Sequence, residues 1–175
     1  MKKGIITILL IVFYFTASEA QISTVRGKIE DSHEYYVDAF NKIKNAMSSI
    51  DNCNNAKSLN SIHSYASDAE SYLSSAKRNL GYAEDEASDA GSKASNIDCS
   101  RAKNNAESAE YYFYDAKQKI NSAMSEMSSA SYERDYDQLR YNLSNARDYI
   151  DKAMKQMSYA VDELNNAMKE LKKCN

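Results

Sequence analysis

Apolar residues recur in this chain at alternating steps of three and four: Leu59, Ile62, Ala66, Ala69, Leu73, Ala76, Leu80, Ala83, Ala87, Ala90 and Ala94 follow one another without a slip. That is the 3.5-residue period of helices whose apolar seam keeps facing a partner, and it is incompatible with the two-residue period of a strand. The segment is also repeated. Ala69, Tyr72, Leu73, Ala76, Leu80 and Ala83 align with Ala109, Tyr112, Phe113, Ala116, Ile120 and Ala123, and again with Ala146, Tyr149, Ile150, Ala153, Met157 and Ala160. A fainter copy runs through Tyr36, Ala39, Ile43, Ala46 and Ile50. Four copies imply four helices.

Composition agrees. The 175 residues include no Pro and only four Gly, so the turns that sheets, barrels and phosphate-binding loops need are missing. One position of each seam takes Leu, Ile, Met or Phe, and the other is almost always Ala. Small residues in a row let helix backbones approach to about 8 Å. Polar interruptions at Asp51–Asn55, Ser95–Asp98 and Ser131–Asp135 place helices near 23–50, 55–94, 98–131 and 135–173. Short connectors make neighbours antiparallel, so the expected fold is all-α: an elongated up-down-up-down four-helix bundle with Ala-rich heptad seams. A pair of long hairpins that dimerise through the same seams is the alternative.

The N-terminus reads as an export signal. Lys2 and Lys3 precede an apolar run from Ile5 to Phe15, too short to span a bilayer, and Ser18 and Ala20 supply the small residues for a cut before Gln21. The expected domain is therefore residues 21–175, periplasmic or secreted. Net charge is −3, and losing Lys2, Lys3 and Glu19 makes it more negative by one. Such a surface argues against nucleic acid and anionic lipid as partners.

Three cysteines stand in a compartment that oxidises thiols. In an up-down bundle the third helix starts, and the fourth ends, at the same end. Cys99 and Cys174 are therefore expected to pair, which leaves Cys53 alone at the other end as a free thiol or a link between two copies.

Catalytic motifs are lacking. His33 and His63 are too far apart to share a metal, and long heptad helices offer no nucleophile elbow or oxyanion loop, so the expectation is no enzyme and no cofactor. One alternative is a soft Cu(I) site at the Cys53 end, drawing on Met47, Cys53, His63, Met124 and Met127. The acidic group Glu84, Asp85, Glu86 and Asp89 lacks the turn of a calcium loop and reads as a solvated helix face. Tyr35, Tyr65, Tyr72, Tyr112 and Tyr149 sit just before the large seam residues. There they either shield a thin Ala core or form an aromatic surface for a partner. The functional expectation is an exported, non-enzymatic binding, adhesion, chaperone-like or structural module for a protein or surface partner. The copper-handling bundle and a bundle that opens onto lipid, hinged at Gly81 and Gly91, are the alternatives.

Overall fold

A computed structural model of the chain describes the backbone of residues 2–174 and the side chains of residues 19–174. Four helices account for nearly all of it: α1 (Lys2–Asn55), α2 (Leu59–Ser95), α3 (Ser100–Ala130) and α4 (Tyr136–Leu171). They run alternately up and down, as the short connectors require, and form an all-α bundle. The apolar run Ile5–Phe15 and Ser18, on which the export reading rests, lie outside the residues with described side chains. Among the described residues no helix is long and apolar enough to cross a membrane.

Every seam position read from the period is buried on α2, α3 and α4, apart from the half-buried Leu59. Phe113, Ile120 and Met127 of α3 and Ile150, Met157 and Leu164 of α4 fill the large positions. The Ala residues between them let α1 lie along α2, α2 along α3 and α3 along α4, while α1 and α4 touch less closely. On α1 the same register starts among described side chains at Ile22 and continues through Val25, Ile29 and Ser32. Glu19, Ala20 and Gln21 are exposed, and among the described side chains the buried seam of α1 is first met at Ile22.

The ends differ from expectation for local reasons. Asp51–Asn55 was expected to be a connector, but it is the last turn of α1. The heptad that buries Ala46 and Ile50 also buries Cys53, and that contact outweighs the polar neighbours. Likewise α1 does not begin near residue 23; its backbone is helical from Lys2. The connector shrinks to residues 56–58, and α2 starts at Leu59 rather than 55, where the Ser58 side chain accepts from the Ser61 N–H. On α4 the Asp135 carboxylate accepts from the N–H groups of Asp137 and Gln138, both at 2.9 Å, which fixes the start at Tyr136.

The α2–α3 corner is a Schellman turn. Asp98 takes φ 55°, its N–H donates to Ser95 O at 3.2 Å, and the Cys99 N–H reaches Ala94 O at 3.0 Å. This delays α3 to Ser100 and turns Cys99 inward. There it forms a disulfide with Cys174, with Cα atoms 5.8 Å apart, across a separation of 75 residues. Closing so long a loop stabilises by about 4 kcal/mol in the chain-entropy account.

Polar pairs beside the Ala seams set the level of each helix. Ser32 and Ala83 are linked across α1 and α2, as are Lys28 with Glu86 at 2.6 Å and Asp89 at 3.4 Å. Lys117 pairs with Glu84, and Lys77 donates to Asn121 at 2.7 Å, across α2 and α3. Three of the four acids read as a solvated face thus hold helices together, which a single-helix view could not reveal. Asp51 and Arg147 pair at 2.9 Å across α1 and α4.

Candidate tyrosine-lined binding surface

The residue before each large seam position is directed toward the α1–α2 or α3–α4 groove, and these are the positions the five expected tyrosines hold. Tyr35, Tyr65, Tyr112 and Tyr149 are half-buried against the core. Partial burial against the Ala-rich core is what shielding predicts. Tyr72 differs and is exposed.

A second set of tyrosines faces out. Among the described residues, every exposed large hydrophobic side chain is a tyrosine apart from Val37. Tyr132, Tyr136 and Tyr141 stand around the α3–α4 connection, where Tyr132 is 82% exposed. Tyr111 and Tyr114 project from α3, and Tyr159 from α4. Projecting the heptad onto its outer positions would have found Tyr111, Tyr114 and Tyr159, since those positions lie off the buried seam.

Tyr111, Tyr112 and Tyr159 form one connected patch. The ring centroids of Tyr111 and Tyr112 are 5.6 Å apart at 68°, and those of Tyr112 and Tyr159 are 5.5 Å apart at 53°. Lys155 lies 5.9 Å from the Tyr159 ring centroid. At the foot of Tyr111 and Tyr112 lies a concavity of about 290 Å³, completed by Asn104, Glu107 and Ser108. Ser108 donates to Asn104 O at 2.9 Å, and Lys103 holds the Glu107 carboxylate at 3.3 Å.

Of the residues considered for copper, Cys53 and His63 each spend a ligand atom on a backbone carbonyl, and Met47 is half-buried against the core. Cys53 is only 2% exposed and donates to Ile62 O at 3.5 Å. Burial pushes its thiol up to about 11, away from the thiolate a soft metal needs. His63 Nε2 donates to Glu133 O at 2.6 Å, since a carbonyl can only accept, so the ring is directed toward the α3–α4 connection. Lys77 is level with Asn121 and Glu84 with Lys117, so Met124 and Met127 lie roughly 12 to 20 Å down the axis from His63. Among the described residues no three His, Cys, Asp or Glu side chains gather as a metal site requires. Burial likewise withdraws Cys53 from the surface, and a bond between two copies through it would require the last turn of α1 to open.

At the other end the expected cysteine pair sits in an electrostatic clamp. Glu170 meets Lys173 at 2.6 Å and Arg101 at 3.7 Å, and Lys173 first, then Arg101, holds its carboxyl below the usual range. No protein-family model, no curated protein and no solved structure matches the chain.

Proposed function

We propose that this chain is an exported, non-catalytic binding module whose rigid helical scaffold displays tyrosines to a protein or surface partner. The observation that carries the reading is the make-up of the exposed apolar surface, which is tyrosine almost throughout. Tyrosine offers large contact area at low cost in side-chain entropy and adds a hydrogen-bonding tip, the combination found in antibody paratopes. A surface meant for acyl chains would expose Leu, Ile, Phe or Met. Among the described side chains those residues lie in the core or half-buried against it. Export rests on the sequence pattern alone: Lys2 and Lys3 before the apolar run Ile5 to Phe15, with Ser18 and Ala20 ahead of Gln21. Adhesion, chaperone-like capture and spacing between surfaces all use such a module.

The test is retention of the labelled protein on cells of its own source. The wild type should be held, and a Tyr111→Ser, Tyr114→Ser, Tyr159→Ser variant of unchanged circular dichroism should wash off. Equal retention of the two would overturn the reading.

A further inference from the structure

We propose that the Tyr111–Tyr112–Tyr159 patch binds a neutral pyranose glycan, an assignment that rests on the binding reading above and gives it a ligand class. Three observations converge on it. First, the exposed rings of Tyr111 and Tyr159 meet the half-buried Tyr112 edge to face or tilted rather than stacked, at 68° and 53°, so neither lies flat on its neighbour. A pyranose ring presents an apolar C–H face, and a solvent-facing phenol ring is its natural platform.

Second, the concavity beside the rings is walled by an amide, a carboxylate and a hydroxyl, from Asn104, Glu107 and Ser108, with no aliphatic anchor. Sugar hydroxyls both donate and accept, and this set answers in both senses. The amide of Asn104 does both, the Glu107 carboxylate accepts, and Ser108, whose proton is given to Asn104 O, accepts through its lone pairs. A peptide or lipid recognised here would need an apolar pocket for a side chain or acyl tail. The volume of about 290 Å³ suits one small ring, at the low end for small-molecule sites.

Third, the patch continues. Tyr114 lies one turn along α3 from Tyr111 and is exposed, and Tyr159 extends the row onto α4. A row of platforms fits several linked sugars rather than one. Among the described residues, the one acid lining the concavity, Glu107, is balanced by Lys103, so the concavity presents no free cation to a uronate or a phosphorylated polysaccharide, which leaves an uncharged chain.

The experiment is calorimetric titration of the exported protein with hexasaccharides of β-1,3-glucose, β-1,4-glucose, α-1,4-glucose and N-acetylglucosamine, and with hexagalacturonate as the charged comparison. Saturable binding of at least one neutral glycan is expected. It should weaken at least tenfold in Tyr111→Ala and in Tyr159→Ala, persist in Tyr111→Phe, and stay unchanged in Tyr141→Ala, some five turns from Tyr159 on the same helix. No binding of any neutral glycan, tighter binding of hexagalacturonate, or full binding by Tyr111→Ala would each overturn the assignment. If the sugars fail while the tyrosine variants still lose retention on cells, the glycan assignment falls and the binding surface stands. If retention is also unaffected, both fall.

Discussion

The Ser32 hydroxyl donates to the Ala83 carbonyl at 2.7 Å, tying α1 to α2 at a buried seam position that the other helices give mostly to Ala. The carbonyl also belongs to the α2 ladder, so removing the hydroxyl strands no buried acceptor. Ser32→Ala should therefore cost only about 0.5 to 1.5 kcal/mol in urea unfolding. Ser32→Val replaces the hydroxyl with one methyl and adds a second to a close-packed seam, and it should cost roughly 1 to 3 kcal/mol. A Val variant as stable as the Ala variant would show that the seam has slack.

Asp98 occupies the left-handed region in order to close the Schellman turn. Asp tolerates that region better than most residues, and Gly better still. Asp98→Gly should raise stability by up to about 1 kcal/mol, and Asp98→Val should lower it by about 1 to 2 kcal/mol. Cys99→Ala, which removes the disulfide that this turn aims, should cost roughly 2 to 4 kcal/mol under oxidising conditions and far less with reductant present. Thermal melts of the three variants with and without reductant provide the check.

Burial holds the Cys53 thiol near 11 against an ordinary value of 9.0. The folded state keeps the proton more tightly than the unfolded state. The stability this contributes is complete below about pH 9 and is lost as pH rises to about 11, an amount of roughly 2 to 3 kcal/mol. Unfolding midpoints of wild type and Cys53→Ala should therefore converge over that interval. In native buffer a maleimide should react with Cys53 orders of magnitude more slowly than in urea. Rapid native labelling would contradict its burial.

The core was legible because a heptad names its buried positions on each helix alone. Even the cysteine pairing followed, once helix direction fixed which ends coincide. Helix ends were less legible. The last turn of α1 is polar to the eye at Asp51, Asn52 and Asn54, yet Cys53 keeps the seam going, and the Asp98 turn depends on a backbone angle that no side-chain pattern displays. The cross-helix pairs escaped for another reason. Glu84 and Lys117 are recognisable as partners only after the axial offset between α2 and α3 is known. The same missing offset made Met124 and His63 look adjacent. Tyr112 was found because it borders the seam, whereas Tyr111 and Tyr159 lie on outer positions.

Gly81 and Gly91 both interrupt α2, but the structure gives them different surroundings. A Cβ at Gly81 would meet only the Lys117 side chain, at 3.9 Å, so nothing there requires Gly. Gly81→Ala should gain roughly 1 kcal/mol from helix propensity. Gly91 is buried against α3, where a Cβ would approach Glu107 Cγ at 3.2 Å and the Lys103 carbonyl at 3.6 Å. The propensity gain is then offset by displacement of Glu107, which also lines the concavity under Tyr111. Gly91→Ala should be near neutral or mildly destabilising, and it should weaken glycan binding although it touches no sugar. Gly91→Ala combined with Glu107→Ala removes the clash and should recover the full propensity gain. Denaturant midpoints of the single and double variants decide the point. A Gly91→Ala gain equal to that of Gly81→Ala would mean that α2 and α3 are not in close approach there, and that Gly91 serves as a flexible point rather than a packing contact.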